Sequence, residues 1–484
     1  MSSFAAVDLG ATSGRVVVGT VVDGSLRMEP VARFENTPVR LPDGWHTDVL
    51  ALYAAALAGV GRASREVPDL ESLAVDSWAV DHGLLRGGRL LGNPYHYRDD
   101  RTAAAVEDVH ARIGAAELFS RNGLQHQPFN TVFQLVASAR VGDLALADRV
   151  LLLPDLFGFW TTGHEVAEIT NASTTGLLPV ARPGRADDWD RELLATLDLP
   201  GSVLPELVAP GTSLGAVRDD VATEFGISGA VTVTAVGSHD TASAVVAVPL
   251  GVGEGAGDAA YLSCGTWSLI GAELDSPVLS EEARCAEFTN ERGVDGRTRF
   301  LKNVMGLWLV SETLRTWAKQ GRPADLNTLL EQAAAVEGPV PVFDVNDPRL
   351  LAPGDMPARI AELLGEQGDP VPTDPALLVR CILQSLARAY ASALHDVDRL
   401  TGRRTRTLHL VGGGARNTLL CRLTAEAVGI DVVAGPVEAT AIGNLLVQAR
   451  THGLLSGDLE ALRRVVARSF PPRVHRAGAT TNRG

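Results

Sequence analysis

At 484 residues the chain exceeds a single domain of roughly 100–200 residues and is long enough for two to four of them. A composition of 45% hydrophobic and 21% charged residues excludes a disordered chain, and 58 acidic against 43 basic residues, a net charge of −15, repel nucleic-acid phosphates. Four cysteines, at 264, 285, 381 and 421, form no C-x-x-C pair, which excludes the commonest zinc and redox motifs and fits a reducing cytoplasm.

The N-terminal apolar stretch is broken by Asp8 and Arg15, so no signal-peptide core is expected, and no apolar run reaches roughly 18 residues, so no membrane partner is expected. Phe4 to Val22 reads as strand, tight turn, strand, with the turn spanning Gly10 to Gly14. A helix is expected from Thr47 to about Arg65. A strand follows from Leu73 to Asp81, ahead of a turn at Gly87-Gly88. Asp99-Asp100-Arg101 is a charged cluster that either touches substrate hydroxyls or forms a solvated turn. Gly211-Thr-Ser-Leu-Gly215 fits the nucleophile-elbow expression, but Pro205 and Pro210 spoil the strand it needs, and Ser213 is expected in a loop. Val231-Thr-Val-Thr-Ala-Val236 reads as strand, with Asp240 at the start of a small-residue helix beyond it.

Ala259 to Gly271 repeats the strand, turn, strand pattern, with Gly265-Thr-Trp-Ser echoing Gly10-Ala-Thr-Ser. The alternating glycines of Pro249 to Asp258 read as a hinge. The expected division is therefore 1–248, 249–470 and a loose tail over 471–484. Asp374 to about Leu400 is expected as a helix burying Leu377, Leu378, Ile382, Leu386 and Leu394. Thr407 to Val411 then forms a strand leading through Gly412-Gly-Gly to Asn417, which can cap a helix starting at Thr418.

Lysine occurs only at 302 and 319, so no G-x-x-x-x-G-K-[ST] loop exists, and H-E-x-x-H is absent. The octapeptide Asp8-Leu-Gly-Ala-Thr-Ser-Gly-Arg15 nevertheless has what phosphate oxygens need: turn N–H groups, the Thr12 and Ser13 hydroxyls and the Arg15 guanidinium. Asp8 could hold Mg²⁺ through water. A plain polar hairpin accounts for the same residues, and the echo at Thr266 favours phosphate. The triple glycine at 412–414 reads first as a turn needing positive φ and second as a flat seat for adenosine. Asp240 is either an N-cap or a carboxylate placed to accept a hydroxyl proton.

Together these residues resemble the FGGY carbohydrate kinases of the actin-like ATPase superfamily. The likeness rests on Ala6 to Arg15, Asp76 to Asp81, Tyr97 to Thr102, Pro128 to Leu135, Asn171 to Thr175, Ser238 to Ala244, Ser263 to Ser268, Leu301 to Trp308, Val411 to Asn417 and Gly435 to Asn444. The resemblance implies an α/β fold with two actin-like (ribonuclease H-like) domains around a central nucleotide and sugar cleft. It also implies ATP and Mg²⁺ as cofactors and phosphorylation of the 1-hydroxyl of a ketose, L-rhamnulose first, with L-fuculose or L-xylulose as alternatives. It makes Asp240 the catalytic base, puts Ala79, His239 and Thr241 beside it in the sugar site, and assigns Ala11, Thr12, Ser13, Gly14, Arg15, Thr266, Asn303, Ser311 and Gly413 to ATP. A monomer or homodimer is expected.

Overall fold

Phe4-Ala-Ala-Val has no residue that gains from water on either face, and the structure buries the whole of its strand. A computed structural model describes residues 2–181, 187–252 and 258–478. They form two units. The first comprises Met1–Pro249, Glu273–Phe300 and Ala439–Ser469, and the second Leu250–Ala272, Leu301–Glu438 and Phe470–Gly484.

In the first unit, strands β1 (Ser3–Leu9), β2 (Ser13–Val22), β3 (Ser25–Glu35), β4 (Leu70–Ser77), β5 (Ser213–Ala216) and β6 (Thr232–Thr234) form one sheet in the order β5-β6-β4-β1-β2-β3. Strands β6, β4 and β1 are mutually parallel neighbours, and β2 returns antiparallel to β1 across the expected turn. Helix Val49–Glu66, capped by Asp48, packs on this sheet where Gly59 lets Val16 approach.

In a second sheet, most of whose residues belong to the second unit, β7 (Ala259–Cys264), β8 (Trp267–Leu274), β9 (Thr298–Met305), β10 (Thr407–Val411), β11 (Asp431–Ala434) and β12 (Arg473–His475) are neighbours in the order β9-β8-β7-β10-β11-β12. Again a hairpin, β7 and β8, is followed by two parallel strands and one antiparallel edge strand. The echo between Gly10 and Gly265 thus marks the same position in two sheets of like strand order. Asn417 caps helix Thr418–Val428 as expected, its side chain accepting from Leu420 N.

Several expectations are corrected. The packing units do not follow the expected chain-order division of 1–248 and 249–470, since Glu273–Phe300 and Ala439–Ser469 pack with the first unit. The reason is a set of buried polar anchors. Gln448 Nε2 donates to Ala5 O at 3.0 Å, and Asn290 Nδ2 donates to Gly123 O at 3.1 Å. The tail is not loose over Arg473–His475, because the open edge of β11 takes that segment as a strand. Residues 479–484 lie outside the described residues, as do the hinge glycines at 253, 255 and 257.

Helix Pro375–Thr401 is, by length and composition alone, apolar enough to cross a membrane, although Arg380 and Arg388 interrupt its sequence. It runs through the second unit's core, burying Leu378, Ile382, Leu386 and Leu394 but only half-burying Leu377. Ser213 opens the edge strand β5 instead of sitting in a loop. Asp99 and Arg101 form no solvated turn: Asp99 is buried and accepts from Trp45 N, while Arg101 stacks 4.0 Å from the Tyr95 ring centroid.

Candidate active site

Parallel strands gather their carboxyl ends on one side of a sheet, which is where open α/β sheets bind ligands. In the first unit the register sets Asp8 of β1 directly beside Asp76 of β4, each closing an Ala-Val-Asp tripeptide. Beyond β6 the chain crosses the end of β4, where Ser77 N donates to Ser238 O at 2.9 Å, so that His239 and Asp240 follow at the same edge.

Asp8 does not face a ligand alone. Arg15, its cross-strand partner on β2, donates to Asp8 Oδ2 through Nε at 2.8 Å and Nη2 at 2.5 Å. The Arg15 guanidinium is thus ion-paired with Asp8. Asp76 is fully buried. Its Oδ2 accepts from Asn444 Nδ2 at 2.5 Å, while its Oδ1 has no partner. Burial, then the charges of Asp8 and Asp240, push the Asp76 carboxyl well above its ordinary range against the Asn444 hydrogen bond. Asn444 in turn accepts from Gln448 Nε2 at 2.7 Å.

At the hairpin tip Thr12 is exposed, Ala11 and Ser13 are half-buried, and Gly10 N donates to Ser13 O at 3.0 Å. Gly14 is glycine for packing, since a Cβ there would lie 2.2 Å from the Phe34 ring.

Asp240 begins helix Asp240–Val246 but caps nothing. The N-cap position is His239, which also makes no side-chain cap. Asp240 Oδ1 accepts from Thr241 Oγ1 at 3.0 Å and lies 3.4 Å from His239 Nε2, and the side chain keeps 29% exposure. Behind it Glu168, buried, accepts from Ser238 N at 2.9 Å and Ser238 Oγ at 2.8 Å, and also from Thr170 N at 2.9 Å. This carboxylate holds the turn that presents His239 and Asp240. Ala79 is half-buried in the loop after β4, next to Val80, whose φ of +70° is strained for a β-branched residue. Thr131 Oγ1 and Gln134 Nε2 hold that loop through Val80 O.

In the second unit Thr266 sits half-buried at the tip between β7 and β8, and Gly413 follows β10, the parallel neighbour of β7. Gly412 has φ +84°, and a Cβ on Gly414 would lie 2.3 Å from Cys264 Sγ, so both glycines serve the turn itself. Gly413 is exposed, with nothing near its Cβ position. Gly306 lies against the Thr266 carbonyl, bringing the segment between half-buried Asn303 and exposed Ser311 to the same tip.

Asp76, Asn444 and Glu168, none of them an expected site residue, lie against or brace the segments that carry Asp8 and Asp240. The repeated Ala-Val-Asp at two strand ends was a signal for Asp76. Asn444 closes the Gly435–Asn444 segment of the resemblance, but its partner Asp76, like the Ser238 partner of Glu168, is distant in sequence.

With this geometry in hand, the comparisons identify the class. The N-terminal domain model of the FGGY family of carbohydrate kinases matches residues 4–247, and the C-terminal domain model matches 260–452. The chain belongs to the FGGY family of carbohydrate kinases. Among its relatives, a rhamnulokinase of Bacteroides thetaiotaomicron is 40% identical over 474 residues, covering 97% of this chain and 94% of that protein. A rhamnulokinase of Enterococcus faecalis is 39% identical, covering 98% of this chain and 94% of that protein. Of solved structures, a gluconate kinase from Lactobacillus acidophilus matches in fold with a TM-score of 0.76 at 16% identity, over 98% of this chain and 94% of that one.

Proposed function

We propose that the protein transfers the terminal phosphoryl group of ATP, with Mg²⁺, to the 1-hydroxyl of L-rhamnulose, giving L-rhamnulose 1-phosphate and ADP. The chemistry rests on one observation: a partly exposed carboxylate, Asp240, whose Oδ1 is engaged by Thr241 and whose Oδ2 has no protein partner among the described residues. Oδ2 accepts the proton of the sugar hydroxyl as that oxygen takes up phosphorus. The sugar's identity rests on the two rhamnulokinases that match almost the whole chain. His239, Thr241 and Ala79 line the sugar.

For the nucleotide, Thr12, Ser13 and the tip N–H groups at Ala11 and Gly14 meet phosphate oxygens, while Arg15 holds Asp8. Thr266, Asn303, Ser311 and Gly413 contact the rest of the nucleotide. No group of three or more His, Cys, Asp or Glu side chains among the described residues is arranged to hold a metal directly. A hydrated cation fits instead, because Asp76 Oδ1 is a buried carboxylate oxygen without a partner, beside Asp8. When bound, Mg²⁺ supplies charge neutralisation on the transferring phosphate. All four cysteines are free thiols, which suits a reducing compartment such as the cytoplasm.

The test is ADP release with Mg-ATP across L-rhamnulose, L-fuculose, L- and D-xylulose, L-ribulose and glycerol. L-Rhamnulose is expected to give the highest kcat/KM, with analogues differing by one small group within roughly 10–200-fold. A higher kcat/KM for another ketose overturns the sugar assignment, and no ADP release with any of them overturns the kinase reading.

A further inference from the structure

His239 is the one side chain of the sugar site with both ring nitrogens against charged groups, and the partners on its far side belong to neither Asp240 nor the sugar. Strand Thr289–Arg292 and β9 bring Glu291 and Arg299 to it. Arg299 is 0% exposed and Glu291 5% exposed, and they pair through Arg299 Nη2 and Glu291 Oε2 at 2.9 Å. Arg299 Nε is fixed by donating to Arg292 O at 2.9 Å. The same Nη2 lies 3.1 Å from His239 Nδ1 in hydrogen-bond geometry, and Glu291 Oε2 lies farther from that nitrogen, at 3.3 Å.

A guanidinium only donates, so His239 Nδ1 is the acceptor, and a neutral imidazole then carries its proton on Nε2. The other face of the ring demands the same tautomer. Nε2 lies 3.4 Å from Asp240 Oδ1, where a lone pair would oppose a carboxylate oxygen and an N–H is attracted to it.

We propose that the buried Arg299–Glu291 pair is a positioning device that fixes His239 as its Nε2–H tautomer. That N–H, with the Thr241 hydroxyl, holds Asp240 Oδ1 and leaves Oδ2 to face the sugar hydroxyl. Glu291 neutralises Arg299, so that the imidazole receives a hydrogen bond instead of the full field of an unpaired cation. The proposal deepens the reading of Asp240 as the base and rests on it.

The test combines spectroscopy and kinetics on the full-length protein labelled with ¹⁵N-histidine, His239 being assigned by the signal lost in His239→Asn. Long-range ¹H–¹⁵N correlation at neutral pH is expected to show His239 protonated on Nε2 and bare on Nδ1. Replacing the pair together, Arg299→Met with Glu291→Met, avoids stranding a buried charge. In that variant, folded by melting temperature, the signal is expected to move to mixed tautomers and kcat to fall about 10²-fold with KM for ATP unchanged. Arg299→Lys alone keeps a donor and a charge, and is expected to restore the wild-type tautomer and most of kcat. A wild-type His239 protonated on Nδ1, or a folded double variant with wild-type kcat, overturns the proposal. Because the tautomer is read without turnover, it stands apart from the base assignment, which fails separately if Asp240→Asn turns over normally.

Discussion

Asp240 and Arg15 show how differently two charged residues read from sequence can be used. Asp240 makes no cap hydrogen bond, so replacing its carboxylate with an amide removes no helix-capping contact. Asp240→Asn is therefore expected to keep the wild-type melting temperature while kcat falls about 10²–10⁴-fold, the usual worth of a general base. Measuring both on one preparation decides the matter, and near-wild-type turnover would take Asp240 out of the chemistry. Arg15 was equally legible as a cation near phosphate, and two of its donors, Nε and Nη2, go to Asp8 because β-pairing puts residue 15 opposite residue 8. Local sequence shows which charges are available. Pairing across the sheet shows which of them are already neutralised.

Between elements, the decisive contacts are those a glycine permits. Gly443, inside helix Ala439–Thr451, lies so close to helix Asp240–Val246 that a Cβ would sit 1.8 Å from Ser243 O. Alanine there gains about 1 kcal/mol of helix propensity. The clash is with backbone, which cannot rotate away, so overpacking of roughly 1–3 kcal/mol is expected to win. Gly443→Ala should lower the urea midpoint and, since Ser243 shares a short helix with Asp240, also kcat. Gly413→Ala is the contrast. Its Cβ meets open space, so the urea midpoint should hold while KM for ATP rises. A destabilised Gly413→Ala, or a Gly443→Ala with unchanged midpoint, would contradict this division. Both glycines sit in recognisable motifs, but which of them is packed against backbone was not legible, because the partner of Gly443 is 200 residues earlier in the chain.

For the molecule as a whole, acid–base balance follows from how deeply the loop after β4 is buried. Burial pushes the Asp81 carboxyl up to about 7, against hydrogen bonds from Trp78, Gln134 and Tyr97 N. The unfolded chain ionises this group near 3.8 while the folded protein keeps it protonated, so its contribution to stability falls as pH rises from about 4 to about 7 and is level above that. His82 and His96, held neutral down to about 3 by burial and by the neighbouring charges of Arg101 and Arg98, act oppositely and lose stability as pH falls below about 6.5. Comparing Asp81→Asn with wild type isolates the first effect. Relative to wild type, the variant's unfolding free energy is expected to rise between pH 4 and pH 8 by up to about 4 kcal/mol, taking 1.36 kcal/mol per pH unit. Urea unfolding at both pH values tests this, and a pH-independent difference would show that Asp81 titrates alike folded and unfolded.

The sequence alone determined the family, the two hairpins, the strand ends carrying Asp8 and the approach to Asp240. These are local: a run of apolar residues, a glycine turn and the residue that follows are adjacent in the chain and need no distant partner to be read. It also carried the likeness of the two halves, visible as one echoed turn and realised as two sheets of like strand order. Only the tertiary structure decided that Ala439–Ser469 packs with the first unit, that Arg15 serves Asp8, that Asn444 binds Asp76, and that Glu168, Glu291 and Arg299 stand behind His239 and Asp240. Each joins groups far apart in sequence inside a buried interior, where a polar group is stable only with the partner the fold brings to it.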